Sequence, residues 1–232
     1  MYAERRAPAG TVWTRTTPAG AEEIRILPDG CLDVILMHGR LMVAGPDSVA
    51  RLNSSPAGTT YIGLRFDPGV GPVALGVPAA ELRDRTLPLE DVWSPRRVRR
   101  LADAMATAPD PGMTLARLVD GGPPEPWVPA AVGWLRKGCA VAEVAGRLEL
   151  SERQLHRRCL DAFGYGPKTL GRILRLDRAL ALVRGGTVAA EAAVLAGYAD
   201  QPHMAREVRA LSGVPLRQAA EPFRRSRAFP GP

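Results

Sequence analysis

Two rhythms of apolar and polar positions divide the chain. From Glu23 to Ala44 the sequence EIRILPDGCLDVILMHGRLMVA places Ile24 and Ile26, then Leu32, Val34 and Leu36, at every second position. A period of two fits a strand, whose successive side chains point to opposite faces. Pro28-Asp29-Gly30 and His38-Gly39 break the run. It therefore predicts a strand, a turn, a strand, a tight turn and a third short strand. Gly45-Pro46-Asp47 closes this block, Ser54 to Gly58 reads as a turn region, and Thr59 to Phe66 (TTYIGLRF) as another strand. The expectation is an antiparallel sheet shaped as a small barrel or half-barrel.

Beyond this block the period becomes helical. Val77 to Arg85 reads as a short helix opened near Pro78. Ser94 to Ala108 reads as a longer one, with Ser94 placed to cap it and Pro95 suited to its first position. Val98, Leu101, Ala102 and Met105 form its apolar stripe, surrounded by Arg96, Arg97, Arg99 and Arg100. The stripe fits either internal core or a pairing surface for a second copy, and the arginines read as a solvated rim. The run Gly121-Gly122-Pro123-Pro124-Glu125-Pro126 is a linker by composition. It sets the expected domains at residues 1–122 and 123–232. The second is expected to fold and bind its partner alone.

Residues 140–216 carry the most organised pattern. VAEVAGRLELSERQLHRRCLDAFG, Val141 to Gly164, and AAEAAVLAGYADQPHMAREVRALSGVPL, Ala189 to Leu216, each read as a short Ala-rich helix, a turn and a second, capped helix. In the first unit Ser151-Glu152-Arg153-Gln154 fits a capping box. Leu155, Cys159 and Phe163 then share a buried face, while Arg153, His156 and Arg157 share another. In the second unit Gly197 supplies the turn, Tyr198 plugs the core, and Asp200 caps the next helix. Met204, Val208 and Leu211 face inward, and Gln201, Pro202, Ala205 and Arg206 face outward. Arginine can bind guanine edges and glutamine adenine, while Pro202 and Ala205 can meet a thymine methyl. His203 suits a structural or phosphate contact. Lys168 to Val183 joins the units, with Arg172, Arg175 and Arg178 along it expected to be mostly solvated.

Charge sharpens this picture. Met1 to Pro123 holds 14 Lys+Arg and 14 Asp+Glu; the remainder holds 17 and 10, which accounts for the whole net charge of +7. A basic half joined to a neutral half points to a polyanion partner for the basic half alone. The bare alternative is a basic bias that serves solubility. Cys31, Cys139 and Cys159 make neither a disulfide framework nor a metal motif. His38 is the one histidine of the amino-terminal half, so no multi-histidine metal site can be built there. No phosphate-binding glycine loop and no nucleophile–base pair emerges. No catalytic residue, metal or cofactor is expected. The amino terminus lacks the apolar core of a signal peptide, and no window approaches the ~18 apolar residues of a membrane helix. A cytoplasmic protein with no membrane partner is expected.

Gly197 to Leu216, GYADQPHMAREVRALSGVPL, resembles the signature of AraC-type (AraC/XylS) transcription regulators. The upstream unit and the joining helix LGRILRLDRALALV match that domain in order and spacing, over roughly Trp127 to Gln218. The resemblance implies a seven-helix domain whose two recognition helices enter successive major grooves, ~34 Å apart. It implies DNA-facing positions at Arg153, His156 and Arg157, with Ser151 at the cap, and at Gln201, Pro202, Ala205 and Arg206. Glu149 departs from the glycine common at that turn. Pro202 and Ala205 carry no side-chain donors, which lowers the specificity expected of the second unit. In the amino-terminal half RILPDGCLDVIL, GLRFDPG and LGVPAAELRDRTLPLEDVW resemble a cupin-like sensory or pairing domain.

The fold class expected is α+β: a small antiparallel, cupin-like β domain with helices, then an all-α double helix-turn-helix domain. The function expected is a sequence-specific transcription regulator, modulated by an effector or by dimerisation. Its expected partner is double-stranded DNA, with RNA polymerase, a small-molecule effector and a second copy as further candidates. Two alternatives stand beside it, a DNA-targeted enzyme and a nonspecific DNA-binding protein. The second would show a steep salt slope with little sequence discrimination.

Overall fold

The structure is a computed structural model of the whole chain and describes residues 2–20, 22–119 and 121–221. The expected second domain reaches residue 232, so its segment 222–232 lies outside the described residues.

The amino-terminal half is built on an antiparallel sheet. In chain order its strands are β1 (Tyr2–Ala7), β2 (Gly10–Thr16), β3 (Glu22–Ile26), β4 (Asp33–Met37), β5 (Arg40–Ala44), β6 (Arg51–Ser55), β7 (Thr60–Phe66) and β8 (Thr86–Pro88). Six form one sheet in the order β1-β2-β7-β4-β5-β8, and β3 pairs with β6 as a separate ribbon. The expected turn at Ser54 to Gly58 begins too early, since Ser54 and Ser55 close strand β6 opposite Glu23 and Glu22. Its short polar sequence, RLNSS, has no period-2 apolar signal; the pairing with β3 makes it a strand.

Alternation assigns each face of the large sheet. Val12, Val34, Val43 and Leu64 point to a core shared with helices α1 (Val70–Leu75), α3 (Pro95–Thr107) and α4 (Pro111–Leu118). Their neighbours Trp13, Ile35 and Tyr61 point to the other face, toward the β3–β6 ribbon. Gly63 lies under the Trp13 indole, where a Cβ would come within 2.2 Å of it. One face is thus closed by helices and the other by two strands, a half-barrel in which a ribbon roofs the sheet.

Helix α2 (Ala79–Leu82) lies inside the stretch Val77 to Arg85, as expected. Ser94 sits at the N-cap of α3, but its side chain makes no cap hydrogen bond. Val98, Leu101 and Met105 are 5, 4 and 1 % exposed within the core. The stripe is therefore internal, and these side chains form no pairing surface. Around it the Arg97 guanidinium lies 3.3 Å from the Trp93 ring centroid, a cation–π contact rather than free solvation.

The carboxy-terminal half contains seven helices among the described residues: α5 (Trp127–Arg136), α6 (Val141–Arg147), α7 (Glu152–Phe163), α8 (Pro167–Arg184), α9 (Ala189–Ala196), α10 (Gln201–Ser212) and α11 (Leu216–Ala220). They enclose two cores. Val144, Leu155, Cys159, Phe163 and Ile173 belong to the first, and Leu180, Tyr198, Met204, Val208 and Leu211 to the second. Helix α8 serves both, because its apolar surface runs most of the way round.

The two halves are packed together rather than strung on a free linker. Leu27, which follows β3, belongs to the second helical core. A Cβ on Gly164, the C-cap of α7, would meet Pro46 at 2.6 Å. The linker residue Gly121 backs onto Ala74 so closely that a Cβ would lie 2.4 Å from its backbone nitrogen. Fusing the halves buries Leu27, an apolar side chain that a separated half would expose.

Candidate nucleic-acid interface

The first helix pair is α6 and α7. Glu149 makes the turn between them with φ 56°, the left-handed region that costs a side-chain-bearing residue roughly 1–2 kcal/mol. The glycine expected at this place is absent, yet the turn keeps the glycine conformation. The capping box then forms in full. The Gln154 amide donates to Ser151 Oγ at 3.2 Å, and the Ser151 amide donates to Gln154 Oε1 at 2.8 Å. Both orphan donors at the start of α7 are thereby satisfied. Leu155, Cys159 and Phe163 are completely buried, which leaves Arg153, His156 and Arg157 on the exposed face. The His156 ring leans on Gly166, whose Cβ would meet it at 2.6 Å, so the imidazole is held against the start of α8. Burial pushes the Cys159 thiol up to about 12, which leaves it a packing group and not a nucleophile.

The second pair, α9 and α10, repeats the plan. Gly197 turns at φ 85°. Asp200 caps α10 by accepting from the His203 amide at 2.6 Å, and His203 Nδ1 accepts from the Ala199 amide at 3.3 Å. His203 thus has a structural role that parallels Gln154, and its ring meets Tyr198 edge-on at 5.4 Å. Met204, Val208 and Leu211 are buried; Gln201, Pro202, Ala205 and Arg206 are exposed together. Each group of DNA-facing candidates therefore lies on the outer side of one capped helix.

The connecting arginines are less free than expected. Arg175 Nη2 donates to Glu207 Oε1 at 2.9 Å and Arg172 Nε to Glu207 Oε2 at 3.3 Å, tying α8 to α10. Arg184 donates to the carbonyls of Ala219 and Ala220. Arg147 pairs with Glu143 at 2.6 Å. These cations brace the scaffold, whereas no ion pair among the described residues engages Arg153, Arg157 or Arg206. The missed signal was Glu207: an acidic residue on a basic domain's recognition helix, with two arginines three apart on the preceding long helix.

The geometry is a rigid support carrying two short, capped, outward-facing helices. Helix α8 has 18 residues, about 27 Å at 1.5 Å per residue, and sets their separation. Such helices present side chains to base edges and helix N-termini to phosphates. No helix among the described residues is long and apolar enough to cross a membrane.

Two stretches of the chain match known domain families. Residues 144–221 match the helix-turn-helix domain family. Residues 10–88 match a domain of unknown function, DUF6597. No curated protein matches the chain. Among solved structures, the carboxy-terminal domain of AraT, a response regulator from Geobacillus stearothermophilus, is 22 % identical, with 41 % of this chain and 84 % of that one covered at a TM-score of 0.38. An AraC-type DNA-binding domain-containing regulator from Chromobacterium violaceum is 21 % identical, with 39 % and 87 % covered at 0.36. Unsaturated fatty acid bound wild-type ToxT from Vibrio cholerae is 9 % identical, with 95 % and 94 % covered at 0.44. The helices of the carboxy-terminal half from Val144 onward thus belong to a helix-turn-helix domain. The chain has an α+β fold whose carboxy-terminal half carries a helix-turn-helix domain.

Proposed function

We propose that the chain is an AraC-type transcription regulator that reads specific DNA through both recognition helices, with residues 1–122 as sensor and residues 123–232 as reader. In this reading Ser151, Arg153, His156 and Arg157 contact one half-site, and Gln201, Pro202, Ala205 and Arg206 the next. The single observation that carries it is the repetition: two helices with equivalent caps, each showing an exposed polar group opposite a fully buried stripe. A nonspecific binder has no need of two matched reading faces. The protein has no catalytic activity of its own and works in the cytoplasm. Small-molecule control, contact with RNA polymerase and self-association belong to the same reading, the last through a surface other than the α3 stripe.

Arg157→Ala and Arg206→Ala test it. Both side chains are exposed and outside the cores, so both variants should fold normally. A bidentate arginine–guanine contact carries ~1–3 kcal/mol of discrimination. Each variant should lose about that much for its selected site, with the two losses in half-sites about one helical turn apart. Arg157→Ala should cost more, since Arg153 and His156 flank it whereas Gln201 is the one polar base-reading neighbour of Arg206. Titration at fixed salt against a selected site and random DNA decides. Equal losses on both would mean that these arginines hold phosphate only.

A further inference from the structure

The half-barrel encloses a cavity of about 150 Å³ between the large sheet and its two-stranded roof. Trp13, Ile35 and Tyr61 rise from the sheet side, while Ile24, Arg51 and Asn53 descend from β3 and β6. A benzene-sized guest fills an apolar cavity of that volume, so the space suits roughly six to nine non-hydrogen atoms. This cavity is not apolar throughout. Asp29, Asp33 and Asp47 line it together with Arg15 and Arg51.

Most of these charges are engaged. Asp33 accepts from the Trp13 indole at 2.6 Å, Asp29 lies 3.7 Å from Arg65, and Arg15 donates to Ser55 at 3.1 Å. Asp47 and Arg51 form the remaining pair, and Arg51 Nη1 also donates to Thr86 Oγ1 at 2.5 Å. Asp47 is 8 % exposed, and its hydrogen bond from Arg51 is long, at 3.5 Å. Arg51 Nε is buried with no partner. The carboxylate keeps open acceptor sites in a largely buried position, and the guanidinium keeps Nε as a buried, unused donor although the Arg51 side chain as a whole is 35 % exposed. An apolar guest would leave both unmet, and a guest of one charge would satisfy one and oppose the other.

The roof is fastened to the second reading unit. Ala50 donates to the Leu211 carbonyl at 2.7 Å and Arg25 to the Ser212 carbonyl at 3.1 Å, at the carboxy-terminal end of α10. Leu27 is packed in the core around Tyr198, Met204 and Val208. Along β3, Ile24 and Ile26 face the cavity and Arg25, between them, faces α10. A displacement of this strand is therefore felt at both places.

We propose that the cavity binds a small zwitterion of free amino acid size, its ammonium at Asp47 and its carboxylate at Arg51, and that the β3–β6 ribbon passes occupancy to α10. This deepens, and rests on, the reading of the β-rich half as the sensor of a DNA-binding regulator.

The test is calorimetric titration of the full-length protein with the common amino acids. Isobutylamine and isovalerate serve as singly charged counterparts of valine, the first without its carboxylate and the second without its ammonium. At least one amino acid should bind one-to-one with a Kd below 1 mM, on the order of tenfold or more tighter than either counterpart, by the loss expected for an unmet charge. Asp47→Asn should weaken that binding at least about tenfold; Arg51→Gln applies the same test if Asp47→Asn does not fold. No binding at millimolar concentration, equal binding of either counterpart, or undiminished binding by the folded variant overturns the zwitterion site. Footprinting then tests transmission. Protection over the α10 half-site should change with the bound amino acid, and Arg25→Ala should abolish the change while still binding it. Binding without any change in the footprint overturns the transmission. Loss of all DNA protection in the wild type, with amino acid binding intact, would instead sink the regulator reading and the transmission with it, leaving the cavity assignment standing.

Discussion

Glu207→Ala should loosen α10 on its support. Glu207 is 10 % exposed at its side chain and receives Arg175 and Arg172, which are 24 and 35 % exposed. Hydrogen bonds to charged groups contribute about 1.5–3 kcal/mol each in favourable settings, but pairs open to solvent are worth about 0–1. Arg175 is the better shielded partner, and Arg172, more than a third exposed, is discounted for screening. The substitution also strands two cations that share one counter-charge, and Arg175 lies over the Tyr198 ring at 5.3 Å. The working figure is a loss of about 2–3 kcal/mol. At about 2–4 °C per kcal/mol for a chain of this size, that is a fall in Tm on the order of 4–12 °C. Differential scanning calorimetry measures it, and footprinting should show weakened protection in the α10 half-site with the α7 half-site retained. An unchanged Tm would mean that the pair is a solvated surface contact and that the α8–α10 brace has been misread.

The other expectations concern particular residues. Glu149→Gly should stabilise the protein by about 0.5–1 kcal/mol in denaturant unfolding, because glycine relieves the positive φ but gives the unfolded chain more freedom. A loss of stability would mean that the Glu149 side chain has a compensating role. Leu101→Glu should abolish folding, seen as loss of a cooperative thermal transition, since the residue is 4 % exposed in the core. A folded variant that had merely lost self-association would restore the pairing-surface reading. Burial pushes the Asp177 carboxyl up to about 6 despite the nearby Arg136. A raised carboxyl means that the folded protein holds the proton longer than the unfolded chain, so stability should fall as pH rises from about 4 to 6. Asp177→Asn should flatten that slope in a Tm-against-pH series and stabilise the protein at pH 7; an unaltered slope would refute the assignment.

What the sequence made legible depended on whether a pattern was local. Capping boxes, glycine turns and helical stripes span a few residues, and the two reading units were therefore visible down to Ser151, Gln154 and Asp200. The count of seven helices came from the family resemblance rather than from periodicity, which did not mark the short last helix, Leu216–Ala220. Period two likewise exposed β4, β5 and β7, which bury alternate side chains on opposite faces of one sheet. Strands β1 and β6 escaped notice because their side chains alternate only between exposed and half-buried positions along most of their length. Helices α1 and α4 escaped because glycine and proline occupy their first turns, where they also read as loop. The long-range contacts were hidden for a different reason. Nothing near Leu27 announces that it will sit among Tyr198, Met204 and Val208, and nothing near Arg25 foretells Ser212. The Gly-Pro run made the halves look separable, yet the same run is compact enough for Gly121 to pack on Ala74. A composition that marks a boundary in the chain does not decide whether the units on either side touch. Here they meet at several places, among them Leu27 in the second helical core and two backbone acceptors at the end of α10. In the proposed reading, that junction, absent from any local motif, is where control of DNA binding is exerted.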